Sequence, residues 1–165
     1  VVIAAGTGGT SATIGRYIRY QRHATQVCVP DPEGSVFFDY HSCRNKSLTS
    51  AGSRIEGIGR PRVEPSFIPS LVDRMMQVPD AESIAAMQSL HQLLGRRVGP
   101  STGTNFVAML TLAKEMRESG QTGSVLSLLC DSGERYLGNY YNPAWVAQTV
   151  GDLRSAQEKI DFWLR

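Results

Sequence analysis

The first thirty residues alternate between short apolar runs and polar, glycine-containing connections. Residues 1–5 (VVIAA) form an apolar run that ends at a glycine, which is typical of a buried strand. Residues 11–22 predict a helix, and residues 25–29 predict a second strand, which the sequence Pro-Asp-Pro closes. A strand, a helix and a strand joined by short connections predict a βαβ unit, and therefore a parallel sheet covered by helices.

Two more helices are predicted from apolar spacing further along the chain. The first covers residues 81–94, with Asp80 as its N-terminal cap and Gly95 as its end. Its apolar face consists of Ala86, Met87, Leu90, Leu93 and Leu94. The second covers residues 104–119, with a buried face made by Phe106, Met109, Leu110, Ala113 and Met116.

The remaining segments complete a single predicted domain. Residues 33–65 show no clear period and predict a long irregular connection. The apolar residues 125–129 predict another buried strand, and residues 152–165 an amphipathic helix. We therefore expect one α/β domain over residues 1–165, with a helical tail at residues 146–165.

Composition narrows the class of protein. Apolar residues make up 41% of the 165 and charged residues 19%, which is typical of a soluble globular protein. A net charge of +2 does not favour nucleic acid or a membrane as partner, and no apolar run approaches the roughly 20 residues that span a bilayer. Three widely spaced cysteines, Cys28, Cys43 and Cys130, match neither a disulfide framework nor a metal pattern, so we expect a cytoplasmic protein.

The glycine-rich run at residues 6–10 (GTGGT) predicts an anion-binding turn. It lies between a predicted buried strand and a predicted helix. Glycine lets the backbone approach an anion closely, and the free N–H groups at a helix start point toward it. The hydroxyls of Thr7, Thr10 and Ser11 can donate as well. The pattern predicts an anion but does not name it.

Several interpretations of this run stay open at this point. A P-loop is set aside because no lysine follows the glycines. A dinucleotide site is partly matched, since Gly6 and Gly8 fit its glycine pattern while Ser11 stands at the third position, and Asp31 stands where a ribose-binding acid belongs. A single phosphate monoester, as in pyridoxal 5'-phosphate (PLP), suits the compact run. The glycines could also form a tight turn without a ligand.

Four motifs in chain order resemble the cysteine synthase/cystathionine β-synthase family of PLP-dependent enzymes. They are the glycine run with residues 14–17 (IGRY), residues 56–59 (EGIG) followed by 67–69 (FIP), residues 99–103 (GPSTG), and residues 131–137 (DSGERYL). Residues 53–62 are most similar to a branch of cysteine synthase-like or cysteine desulfhydrase proteins. The resemblance implies a three-layer fold, a parallel sheet flanked by helices, that forms the large PLP-binding half of a fold type II enzyme.

The resemblance also assigns roles by matching position. The cofactor's phosphate would be held by Gly6, Thr7, Gly8, Gly9 and Thr10. Ser101 would hydrogen-bond the pyridine nitrogen, although a serine at this place could also cap the following helix. The substrate side of the cofactor ring would be lined by Gly57, Ile58 and Gly59. No metal is implied, and the three histidines show no metal-ligand spacing.

The family's catalytic residue is not expected within this chain. In the family, the lysine that forms the Schiff base with PLP lies upstream of the glycine run, and the lysines here are Lys46, Lys114 and Lys159. Because Val1 opens directly on an apolar run, we expect preceding sequence, with the lysine upstream of Val1 in an N-terminal half. The chain alone is then expected to be inactive.

The resemblance implies that the full enzyme acts on L-cysteine or an activated serine. β-Elimination of L-cysteine to sulfide, pyruvate and ammonia is the reaction of the most similar branch, and cysteine synthesis from an activated serine and sulfide is its neighbour. A homodimer is expected from the family alone. An inert fragment or binding module with the same fold, and an NAD-binding domain, are the alternatives.

Overall fold

A computed structural model describes all residues from Val1 to Arg165. The chain divides into two compact units, Val1–Val78 and Pro79–Arg165, each with its own core. No helix of the chain combines the length and the apolar character needed to cross a membrane. The secondary structure consists of six α-helices and two strands, together with two short 3₁₀ turns at Pro69–Leu71 and Gly133–Tyr136.

The first unit contains a small parallel sheet and two helices. Helix α1 covers Gly9–Tyr20, strand β1 Cys28–Pro32, helix α2 Phe37–Cys43 and strand β2 Arg74–Val78. β1 and β2 run parallel, with Cys28 opposite Arg74. The predicted strand at residues 1–5 is present only as a parallel bridge from Val2 to Cys28, in which the Cys28 N–H donates to the Val1 carbonyl at 2.8 Å.

Aromatic side chains form the centre of the first unit. The rings of Phe37 and Phe67 stack with their centroids 4.4 Å apart, and Tyr40 packs against Phe67 at a tilt. Val27 and Val29 are fully buried beside them. Phe37 and Tyr40 belong to α2, a helix within the segment that the sequence predicts to be irregular, so that prediction is wrong for residues 37–43.

The second unit is helical, with α3 at Asp80–Leu94, α4 at Pro100–Glu118, α5 at Pro143–Thr149 and α6 at Arg154–Trp163. α3 and α4 approach closely because Gly103 lacks a side chain, since a Cβ there would collide with the Ser83 carbonyl. Thr104 Oγ1 donates to Ser83 Oγ at 2.8 Å across the same contact. α6 packs on α3 through the fully buried Ile160.

Several predictions for the second unit are wrong in detail. Residues 125–129 form no strand, since Ser127 alone among them forms a bridge, and Leu126 is 63% exposed. Asp80 does not cap α3, because the helix begins one residue earlier than predicted and Pro79 takes the cap position. Leu93 and Leu94 are exposed at the end of α3 instead of joining its buried face.

The fold class is confirmed at a coarse level. A parallel sheet with helices is present in residues 1–78, and helices α5 and α6 lie at the C-terminal end of the second unit. The three-layer arrangement and the single-domain organisation stay predictions.

Candidate functional site

The glycine run is a tight turn that only glycine can form at its centre. Gly8 has a φ of 89°, which lies in the left-handed region. A Cβ at Gly8 would lie 2.5 Å from Phe67 Cα, closer than any real contact. The turn therefore packs directly on the backbone at Phe67, and this contact fixes its shape.

Hydrogen-bond donors at this turn are left without partners in the chain. The first intrahelical bond of α1 runs from the Ala12 N–H to the Gly8 carbonyl at 2.9 Å, so the N–H groups of residues 9–11 have no acceptor. The hydroxyls of Thr7 and Thr10 are exposed and make no hydrogen bond within the chain. The first turn of α1 contains no acidic residue. The positive end of the helix dipole adds to these donors, so the turn suits an anion.

Ser11 is different from the other hydroxyl residues of the turn. Its side chain is buried, and its Oγ donates to the Gly8 carbonyl at 3.0 Å. Ser11 therefore stabilises the turn from inside.

The predicted substrate-side segment lies beside the glycine run. The Gly59 N–H donates to the Ala5 carbonyl at 2.8 Å, and a Cβ at Gly6 would lie 2.6 Å from the Gly57 carbonyl oxygen. Gly57 is exposed, and nothing lies within 4 Å of the position a Cβ would take. Ile58 and Gly59 are buried. Of the three predicted residues, Gly57 alone presents an open surface next to the turn.

Arg60 was missed by the sequence analysis, and its guanidinium lies next to the glycine run. Its Nη2 is 3.7 Å from the position a Cβ would take on Gly6, and its Nη1 donates to the Gly59 carbonyl at 3.0 Å. A signal was available, since Arg60 is the charged residue that directly follows the EGIG motif.

Ser101 lies in the first turn of α4, within the second unit. It is 6% exposed, and its hydroxyl makes no hydrogen bond within the chain. The cap position belongs to Gly99, which has no side chain to bond the helix start, so the interpretation of Ser101 as a helix cap is wrong. The Ser101 hydroxyl is therefore available to a ligand.

The start of α4 is held firmly in place. The Gly99 N–H donates to the Asp131 carbonyl at 2.9 Å, and Thr102 Oγ1 accepts from the Cys130 N–H at 2.9 Å. Tyr136 donates its hydroxyl to Asp131 Oδ2 at 2.6 Å. The motif at residues 131–137 thus anchors the helix that carries Ser101.

Asp31 does not have the exposure that a ribose-binding acid requires. It is 1% exposed, and its Oδ2 accepts from the Phe38 N–H at 2.8 Å at the start of α2. Burial raises the pKa of the Asp31 carboxyl to about 6, against the hydrogen bonds from Ser35 and Phe38 that lower it. The dinucleotide alternative loses its support, because a sugar hydroxyl cannot reach this carboxylate.

The three lysines are solvated surface residues. Lys46 is exposed within the connection after α2. Lys114 lies 3.8 Å from Glu118 on the same helix, and Lys159 lies 2.6 Å from Glu82 and over the Trp163 ring. None of the three lysines is buried. No cluster of three or more His, Cys, Asp or Glu residues could hold a metal ion.

A family model described as "Pyridoxal-phosphate dependent enzyme" matches residues 1–131. The chain belongs to this family. The predicted family is thereby confirmed, and so is the cofactor class of the family. The match covers both the glycine run and the helix that carries Ser101.

Curated relatives refine the comparison. The chain is 60% identical, over 98% of its length, to the L-cysteine desulfhydrase Cds1 of Mycobacterium tuberculosis. It is 31% identical over 86% to cysteine synthase 2 of Schizosaccharomyces pombe, and 27% identical over 88% to cystathionine beta-synthase of Saccharomyces cerevisiae. The chain spans less than half of each of these relatives, namely 45%, 38% and 28% of their lengths.

The hydrogen-bond donors that have no partner within the chain fit the phosphate and the ring of PLP. The turn at residues 6–10 offers backbone N–H groups and two free hydroxyls to a phosphate, and it contains no carboxylate. The Ser101 hydroxyl is free to meet a heteroatom of the ring. The residues to which the family resemblance assigns these two contacts thus belong to different units, residues 6–10 to the first and Ser101 to the second.

Proposed function

We propose that the full-length protein is a PLP-dependent enzyme that breaks down L-cysteine to sulfide, pyruvate and ammonia. The assignment of PLP as cofactor rests on the hydrogen-bond donors of the glycine run, which have no acceptor within the chain and suit a phosphate group. The 60% identity to a protein named L-cysteine desulfhydrase supports L-cysteine as the substrate.

The proposed cofactor contacts follow from the free groups of each unit. In the first unit, the backbone N–H groups and threonine hydroxyls of residues 6–10 would hold the phosphate, and residues 57–59 would border the substrate side of the ring. In the second unit, the Ser101 hydroxyl would hydrogen-bond the pyridine nitrogen. The catalytic lysine would come from another part of the full-length protein.

Ser101 has a chemical consequence beyond binding. When bound, PLP supplies an electron sink for the negative charge that develops at the substrate Cα. A hydroxyl partner leaves the pyridine nitrogen unprotonated, whereas a carboxylate would protonate it. The weaker electron sink that results favours loss of a group from the β-carbon over transamination.

Cysteine synthesis is the second candidate, and the identity to cysteine synthase 2 of Schizosaccharomyces pombe favours it. The two candidates differ in their products. With PLP and L-cysteine, the full-length protein is expected to release equal amounts of sulfide, pyruvate and ammonia. Faster formation of cysteine from an activated serine and sulfide would instead favour the synthase. Failure of the protein to act in either assay would contradict the proposed function.

The glycine run can be tested directly at Gly8. In the full-length protein, Gly8→Ala is expected to raise the dissociation constant for PLP by about tenfold or more, because the new Cβ meets Phe67 and the left-handed φ is strained. Fluorescence titration measures the constant. Gly138→Ala is the matched control, since nothing lies within 4 Å of its Cβ position. Unchanged PLP binding in Gly8→Ala would contradict the assignment of the turn.

A further inference from the structure

The guanidinium of Arg60 brings a positive charge to the glycine run, whose own residues carry none. Arg60 Nη2 lies 3.7 Å from the Cβ position of Gly6, within the same compact unit. The two residues are 54 positions apart in the sequence, so the fold creates this proximity.

The Arg60 backbone is fixed from both sides. Its N–H donates to Ser35 Oγ at 3.1 Å, and its carbonyl accepts from the Val36 N–H at 3.0 Å. Next to it, the Gly59 N–H is bonded to Ala5, the residue that precedes the run. Because the guanidinium also donates to the Gly59 carbonyl, the side chain loses little freedom on binding a ligand.

The charge of Arg60 is only partly neutralised. The nearest acid is Glu64, whose Oε1 lies 4.0 Å from Arg60 Nε and 3.6 Å from Arg62 Nε. The single carboxylate of Glu64 thus lies near two guanidinium groups, so the cluster of Arg60, Arg62 and Glu64 keeps a net positive charge. The Arg60 side chain is 32% exposed, which leaves it accessible while reducing the screening by water.

We propose that Arg60 is a phosphate-binding residue, which adds a charge-assisted contact to the neutral donors of residues 6–10. The inference rests on the proposed function, in which those residues hold the phosphate monoester of PLP. A guanidinium suits this task because its planar N–H groups match phosphate oxygens. The residue would therefore select a phosphorylated cofactor over its unphosphorylated form.

The test compares PLP with pyridoxal, which lacks the phosphate, in titrations of the full-length protein. Arg60→Gln is expected to raise the dissociation constant for PLP by about tenfold and to leave that for pyridoxal unchanged. For Arg60→Lys, the dissociation constant for PLP is expected to lie between those of the wild type and of Arg60→Gln, because lysine keeps the positive charge but lacks the planar guanidinium group. The lysine variant also provides a measurement if the glutamine variant does not fold.

Arg62→Gln is the matched control. Arg62 contacts the same Glu64 carboxylate, but its side chain is 77% exposed. Its replacement is expected to change neither constant. An unchanged PLP constant in both Arg60 variants, or an equal loss of PLP and pyridoxal, would overturn the inference. A wild-type protein that binds no PLP would contradict the proposed function as well, so the two failures are distinguishable.

Discussion

Ser101 shows how a single hydroxyl can indicate a ligand. Ser101 lies in the first turn of α4 with 6% of its surface exposed, and its hydroxyl makes no hydrogen bond in the chain. The O–H group is therefore free to donate a hydrogen bond to a ligand. A ring nitrogen of the family's cofactor would satisfy it.

Replacement of Ser101 tests this role. In the full-length protein, Ser101→Ala is expected to retain PLP, because the phosphate contacts remain, and to lower kcat by about ten- to a hundredfold. The visible spectrum of the bound cofactor is expected to change as well. Ser119→Ala is the control, since its hydroxyl bonds the Glu115 carbonyl at 2.8 Å at the opposite end of α4. Wild-type turnover and spectrum in Ser101→Ala would refute the assignment.

Helix α2 illustrates how one element depends on a buried acid. The helix has seven residues, and no side chain caps it from the cap position. Its N–H groups are instead met by Asp31 Oδ2 at Phe38, 2.8 Å away, and by Ser35 Oγ at Phe37, 3.4 Å away. Asp31 Oδ1 has no partner, which is consistent with the raised pKa of this carboxyl. Helix α2 thus gains a hydrogen bond at its N-terminus, and in return the carboxyl group of Asp31 is buried.

The stability of the protein is therefore expected to depend on pH through Asp31. Its pKa is about 6 in the folded protein and 3.8 when unperturbed, so between these values the folded state binds the proton that the unfolded state has lost. Stability falls as pH rises through this window. Asp31→Asn keeps an acceptor for Phe38 and removes the titration. Relative to this variant, the wild type is expected to lose up to about 3 kcal/mol from pH 4 to pH 7.

Urea unfolding of both proteins at several pH values measures this difference. Parallel pH profiles for the wild type and Asp31→Asn would show that the pKa of Asp31 is the same in the folded and unfolded states, and would contradict the prediction.

At the scale of the whole molecule, the predicted functional groups are divided between two compact units. The glycine run, residues 57–59 and Arg60 belong to Val1–Val78, whereas Ser101 belongs to Pro79–Arg165. The family match extends across both units, to residue 131. The curated relatives named above are more than twice as long as the chain. Further catalytic groups of the full-length protein can therefore come from outside these residues.

Locating the lysine to which PLP is attached tests whether the catalytic lysine lies outside residues 1–165. Borohydride reduction of the full-length protein fixes PLP on the lysine that carries it, and peptide mapping by mass spectrometry locates the label. The label is expected on none of Lys46, Lys114 and Lys159, because all three are surface residues and two of them are paired with glutamates. Reduction of a variant with arginine at these three positions is expected to give the same labelled peptide. A label on any of the three would contradict the prediction.

The sequence by itself determined the local features of this protein. The glycine run, the four motifs and the apolar spacing were sufficient to predict the cofactor family and helices α1, α3 and α4, because each depends on residues close together in the chain. The ends of these helices were less predictable, since caps such as Pro79 and Gly99 provide no side-chain hydrogen bond.

Contacts between distant residues were decided by the tertiary structure. Gly8 must be glycine because Phe67 lies against it, Asp31 is unsuited to a sugar because it is buried under α2, and Arg60 meets Gly6 across 54 positions. Residues 125–129 form no strand despite their apolar pattern, because Ser127 alone forms a bridge and a strand needs a longer run of paired backbone groups. Burial and proximity depend on which segments pack together, and the linear pattern contains no record of that.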